Sequence, residues 1–221
     1  MAKAHRRHSR DRFARREDVK ASYEVVLVVC EGKKTEPRYF EGLRKAYLLS
    51  SANVTVVPSD EAGGNDPLGL VRYAIRKLDK ASAELDHVYC VFDRDGHANY
   101  DEACQLARDS EFGIANRLHV IPSWPCFELW VLLHYEYTTT PFNAAGGKSA
   151  CARVIDRIRT HCAAYEKGFK GVFEELFPRT NTALTNGRNL RAHNRATGSI
   201  NPATAVHRLV EKLRDLRPGI P

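Results

Sequence analysis

The sequence predicts an α/β protein built on a doubly wound, mainly parallel four-stranded sheet, with a helical part added at its C-terminal end. Three observations carry this. Short apolar runs at 24–32, 53–59, 87–93 and 117–123 have the length of strands rather than of core helices. Segments of helical period separate them, as the crossovers of a parallel sheet require. After Pro125 the alternation stops and helical patterns take over.

Taken in order, EVVLVVCEG (24–32) is a continuous apolar run, typical of a parallel strand covered on both faces. Pro37 suits the first turn of a helix, and Tyr39, Phe40, Leu43 and Tyr47 recur at helical spacing to about position 49. NVTVVPS (53–59) is the second strand. Asp66-Pro67 opens a helix whose buried stripe is Leu70, Val71, Ala74, Ile75 and Leu78. HVYCVFD (87–93) is the third strand, with a helix near 100–110 after it, and RLHVIPS (117–123) the fourth. CFELWVLLHYEY (126–137) reads as one largely buried helix, and 149–164 as another. NPATAVHRLVEKLRDL (201–216) reads as an amphipathic helix with Val206, Leu209, Val210 and Leu213 on one stripe. The Thr-, Asn- and Gly-rich stretches 138–148 and 178–200 read as loops. The organisation expected is a basic, disordered arm over 1–22, an α/β core over 23–136 and a helical C-terminal extension over 137–221 packed on that core.

Of the 221 residues, 43% are hydrophobic, enough for a sizeable core. No run approaches the roughly 20 apolar residues of a membrane span. The basic N-terminus has no apolar segment behind it, which excludes a secretory signal and leaves a cytoplasmic protein as the expectation. The cysteines at 30, 90, 104, 126, 151 and 162 form no Cys-x-x-Cys pair and are expected as buried free thiols, not as a disulfide scaffold or zinc site. Formal net charge is +7, unevenly spread: residues 1–20 carry +5, 21–150 carry −5 and 151–221 carry +7. Basic ends around an acidic centre suit a polyanion held at a metal site, although solvated Arg-rich faces explain the charge alone equally well.

Ligands of open α/β sheets bind at the carboxyl ends of the strands. Glu31 stands at the end of the first strand and Asp93 at the end of the third, and in a 2-1-3-4 order those strands are neighbours. Asp93 and Asp95 are two apart, so an extended backbone points both carboxylates one way. Gly32 and Gly96 relieve crowding where a phosphate or metal approaches. Each piece alone is common, since a carboxylate at a strand end is often a helix cap. Together the three acids require a cation, and hard oxygen ligands suit Mg²⁺, or Mn²⁺ in its place. Lys33, Lys34 and Arg94 are candidate phosphate clamps and His97 a candidate proton-transfer group. Thr35 and Glu36 read as capping residues, and His87, His119, His134 and Trp130 as structural; Trp124 is able to stack on a base. GGKSA (146–150) is no phosphate loop, because Phe142 stands where the pattern needs glycine.

VVLVVCEGKKTEPRYFEGL followed by VYCVFDRDGH resembles a Toprim domain, the metal-dependent module of topoisomerases, primases and several nucleases. SWPCFELWVLLHYE and NPATAVHRLVEKL are similar to the RloB family specifically, bacterial Toprim-like factors associated with restriction and abortive-infection loci. The resemblance covers about residues 23–216. It implies that Glu31 acts as general acid or base and that Asp93 and Asp95 hold Mg²⁺. It adds Glu128, from the family's Pro-x-Phe-Glu block, as a further carboxylate, with Ser123 as an accessory candidate. One departure stands out: relatives usually read Ser-Asn-Pro where this chain has Ser123-Trp124-Pro125. The implied activity is Mg²⁺-dependent cleavage of DNA or RNA by an effector of bacterial phage defence. The implied partners are nucleic acid and a separately encoded ATPase, with a homo-oligomer compatible and no membrane. The alternative is a non-catalytic nucleic-acid-binding or ATPase-regulating subunit with a vestigial site. A haloacid-dehalogenase-type phosphatase would want the Asp-x-Asp pair on the first strand, and a sugar-nucleotide transferase would leave Glu31 unexplained.

Overall fold

A computed structural model describes residues 24–50, 53–64, 66–81, 84–94 and 96–217. The basic arm expected over 1–22 lies outside the described residues, and so does Asp95. In chain order the elements are β1 (Val26–Cys30), α1 (Thr35–Ala46), β2 (Val54–Val57), α2 (Ser59–Ala62), α3 (Pro67–Lys80), β3 (His87–Asp93), α4 (Tyr100–Asp109), α5 (Glu111–Ile114) and β4 (Leu118–Trp124). There follow α6 (Glu128–Leu132), α7 (Ala150–Arg159), α8 (Val172–Leu176) with a 3-10 turn after it, α9 (Thr180–Thr197), β5 (Ala203–Thr204) and α10 (Val206–Asp215).

The sheet order is β2-β1-β3-β4-β5, with the first four strands parallel. Alternate residues of each strand feed two separate cores. Val26, Val28 and Cys30 of β1 pack with Tyr39, Phe40, Trp130, Leu209 and Val210 on one face. Leu27 and Val29 pack with Leu70, Val71, Ala74 and Leu78 of α3 on the other. Both faces are covered, which is why the strands are continuously apolar.

Four sequence expectations need correction. The sheet has a fifth strand: Ala203 and Thr204 pair antiparallel with Trp124 and Ser123, so the terminal helix begins only at Val206. The stretch 178–200, read as a loop, is mostly the 18-residue α9. Its polar composition hides a buried stripe of Ala183, Leu184, Gly187 and Leu190, and Gly198 ends it in the left-handed conformation at φ 73°. The helix expected over 126–137 is regular only over Glu128–Leu132. Finally, Cys126 and Cys151 form a disulfide, their sulfurs 2.15 Å apart. The packing of α6 against α7 brings them together, and no spacing rule reveals such a pair. Cys30, Cys90, Cys104 and Cys162 are free.

Candidate functional site

Parallel pairing sets the carboxyl ends of β1 and β3 side by side, with Cys30 in register with Val91. Glu31 N donates to Val91 O at 2.9 Å, continuing the ladder one residue past the strand. The Glu31 carboxylate then reaches across, its Oε2 accepting from Asp93 N at 2.8 Å. Its Oε1 pairs with His97 Nε2 at 2.5 Å. Asp93 Oδ1 accepts from Phe127 N at 2.8 Å, tying β3 to the turn that leads into α6. Glu31 and Asp93 are thus positioned by backbone donors, which orient a carboxylate more firmly than a mobile side chain would.

These groups line a cavity of about 380 Å³ together with Lys33, Lys34, Glu36, Glu128 and Lys167. Glu36 is not a cap: α1 has no side-chain cap, and Glu36 is buried. A Cβ at Gly32 would stand 2.0 Å from Glu36 Oε2. Gly32 therefore makes room for a protein carboxylate, not for an incoming phosphate or metal as expected. Gly96 serves by its backbone, with φ +79°. Thr35 likewise holds a distant loop: its Oγ1 accepts from Gly168 N at 2.9 Å, and Arg38 donates to Gly168 O. That clip delivers Lys167, whose Nζ lies 3.5 Å from Glu128 Oε2.

The electrostatics are those of crowded acids. Burial pushes Asp93 well above the usual carboxylate range, and Glu36, Glu128 and Glu31 push it further. Burial, then Glu128, lifts Glu36 to about 7. Burial raises Glu128 despite Lys167, and raises Glu31 despite the Asp93 N–H and His97. Burial pulls Lys167 down, but Glu128, Asp93 and Glu36 outweigh it and hold the ammonium charged. Four carboxylates against one lysine form a donor set that fits a hard divalent cation. Among the described residues the acids frame the cavity and do not converge on one point. The tightest His/Cys/Asp/Glu group there is Cys126, Glu128 and Cys151, and its sulfurs are already bonded to each other. A cation that retains several waters, as Mg²⁺ does, matches such a frame.

Of the residues singled out in the sequence, Glu31, Asp93, Glu128, Lys33, Lys34 and His97 come together. Arg94 does not: strand alternation turns it away from Asp93, and its guanidinium lies 4.0 Å from the Trp124 ring centre and 5.0 Å from that of Tyr100. Ser123, in register with Asp93, is buried against Thr204, Oγ to Oγ1 2.8 Å, and does not line the acidic cavity. Sequence reasoning missed Glu36 as a cavity residue and Lys167 altogether. Neither left a signal: an acid in the first turn of a helix is common, and the segment around Lys167 carries no pattern. Trp130 and His134 are buried in the core, and His119 bonds His87 at 3.2 Å while stacked on Tyr89, so those readings hold.

Comparison with curated proteins and with solved structures finds no match to this chain. The family model described as RloB-like protein matches residues 26–213, nearly the whole described chain, and the chain belongs to that family.

Proposed function

We propose that the chain is a Mg²⁺- or Mn²⁺-dependent phosphodiesterase that cleaves DNA or RNA at the acidic cavity. One observation carries the reading: four carboxylates, from β1, α1, β3 and α6, face one cavity at the carboxyl ends of adjacent parallel strands, each with its pKa raised. Buried acids that oppose one another's ionisation are costly for folding and are found where chemistry needs them. Asp93 and Glu128, with Asp95 as the Toprim resemblance implies, would hold the ion. When bound, a divalent ion supplies Lewis acidity and neutralises charge on the phosphoryl group. Glu31, with His97 on its outer oxygen, is placed to take and return a proton. Lys33 and Lys34 at the cavity wall orient the phosphate. The family resemblance supports a role as a defence effector in the cytoplasm, working with a separately encoded ATPase. None of the described helices is long and apolar enough to cross a membrane.

A second reading rests on Lys167. The Lys167 ammonium already offsets part of the acidic charge, as a retired site in a nucleic-acid-binding subunit would need. One experiment separates the two. Wild type, Asp93→Asn and Glu31→Gln are incubated with supercoiled plasmid and a tRNA pool in Mg²⁺ or Mn²⁺, with and without the ATPase, and Mn²⁺ binding is followed calorimetrically. We expect cleavage to fall at least 100-fold in both variants, with Mn²⁺ affinity lost in Asp93→Asn and largely kept in Glu31→Gln. Equal cleavage by all three proteins, or no Mn²⁺ binding by wild type, would sink the enzyme reading.

A further inference from the structure

A second cavity, of about 330 Å³, opens at the same end of the sheet and is the one that Arg94 lines. Arg94 enters it from the end of β3, Arg191 and Arg195 from one face of α9, and Arg208 from α10. Among the described residues none of the four forms an ion pair. The nearby acid Glu211 is taken by Arg188, Nε to Oε1 2.5 Å. Burial first, and then the like charges of Arg195 and Arg208, lower the pKa of Arg191. Four guanidinium groups lining one cavity, with Glu211 the acid acting on Arg191 and itself bonded to Arg188, suit a polyvalent anion, which they bind with forked hydrogen bonds.

A second, independent feature points to a ligand with more than charge. His207 lines this cavity and is 1% exposed, yet neither ring nitrogen has a hydrogen-bond partner. A buried imidazole without partners costs free energy that a bound donor or acceptor would recover. Much of the remaining wall is apolar, with Pro122, Ile200, Ala203 and the Trp124 ring carrying Arg94 at 4.0 Å, beside the polar Ser123, Asn194, Ser199 and Thr204. Inorganic phosphate would leave that wall unused. Phosphate joined to a planar heterocycle uses the arginines, the aromatic stack and the imidazole together. The position matters too. Arg94 directly follows Asp93, and its N–H donates to Ser123 O at 2.9 Å, so the two cavities sit on either side of one short stretch of backbone.

We propose that this cavity is a subsite for one nucleotide of a single strand running past the acidic cavity, with its base against the Arg94–Trp124 stack and its phosphate on Arg191, Arg195 and Arg208. That the strand is a substrate rests on the function proposed above; that the cavity binds a nucleotide does not. Trp124, which stands where relatives read asparagine, becomes part of the recognition surface. A free nucleotide is the other source of the same chemistry, and the test separates the two.

Binding is measured without metal, in EDTA, by the fluorescence anisotropy of labelled 12-nucleotide single strands of RNA and DNA, with salt dependence. Arg191→Ala/Arg195→Ala is expected to weaken binding at least 10-fold and to flatten the salt slope by about 1.4, the value for two lost phosphate contacts on a single strand. Lys77→Ala/Lys80→Ala, which removes equal charge from α3, is expected to change affinity less than twofold. Trp124→Ala should weaken binding about 10-fold, Trp124→Phe should restore most of it, and strand binding should quench tryptophan emission in wild type but not in Trp124→Phe. Thermal melts confirm that each variant is folded. Unchanged affinity and slope in the arginine variant would overturn the proposal, as would equal weakening by the α3 variant. AMP competing as tightly as the 12-mer would overturn the strand in favour of a free nucleotide. If Asp93→Asn abolishes cleavage while the arginine variant binds normally, the subsite fails and the enzyme reading stands. If wild type never cleaves but the arginine variant loses binding, the enzyme reading fails and the subsite stands.

Discussion

Glu36 lies in the first turn of α1, where an acid ordinarily stabilises a helix through exposed N–H groups. Here it is buried beside Glu128, and its pKa is about 7. The consequence for stability has a definite sign. A group whose folded pKa exceeds its unfolded value of 4.5 contributes stability that is full below 4.5 and lost as pH rises through about 7. Asp93 and Glu128 shift in the same direction. Without metal, these acids should therefore make the protein less stable at pH 8 than at pH 5.5. His119, His134 and His207, each held down at about 4 by burial, oppose that difference by losing stability as pH falls through 6.5. Glu36→Gln should raise the pH 8 melting temperature and flatten the difference, by an amount on the order of 1–3 kcal/mol. Melts of both proteins in EDTA at the two pH values check this, and parallel pH dependences would show that Glu36 ionises without cost. The role of Glu36 was not legible in the sequence, because TEP at a helix start has the same appearance whether its glutamate points to water or into a cavity.

At the scale of elements, α9 and α10 show how packing overrides propensity. Asn181, Asn186, Asn194 and several threonines disfavour helix, yet α9 runs for 18 residues because Ala183, Leu184 and Leu190 bury a narrow stripe. Gly187 on that stripe is a contact point: a Cβ there would lie 2.9 Å from His207 Cβ on α10. Helix propensity alone predicts that Gly187→Ala stabilises by about 1 kcal/mol. Overpacking costs about 1–3 kcal/mol, so we expect a net loss and a lower urea midpoint. A raised midpoint would mean that α10 yields freely. Because His207 lines the arginine cavity, the same variant should also weaken single-strand binding. By contrast, the parallel strands were legible almost to the residue, β3 completely, since continuous apolar runs bounded by polar residues are a local signal.

Across the whole molecule, the C-terminal segment completes the fold. β5 covers the edge of β4, and Val206, Leu209, Val210 and Leu213 are fully buried in the core that also holds Val26, Val28 and Phe127. Each such side chain is worth about 1.5–3 kcal/mol, so together they rival the whole stability of a typical domain, about 5–15 kcal/mol. A chain ending at residue 200 should accordingly lose its cooperative melt. A sharp transition in the truncated chain would show that residues 24–200 fold alone. The charge pattern has a matching organisation, with acids inside one cavity and arginines of α9 and α10 around the other. Strand affinity should therefore fall steeply with salt.

What the sequence determined by itself was the part encoded locally: four strands, their parallel order, and Glu31 beside Asp93 at their carboxyl ends. Strand length, helical period and the right-handed crossover act over a few tens of residues, and they leave little choice once the apolar runs are placed. The tertiary structure decided everything that depends on distant segments meeting. The loop around Gly168 brings Lys167 to Glu128 because Thr35 and Arg38, 130 or more residues earlier, hold it. Cys126 meets Cys151 through the packing of α6 on α7. Arg94 lines one cavity with the arginines of α9 and α10, and not the acidic cavity beside it in sequence, a meeting of distant segments that only the folded chain shows.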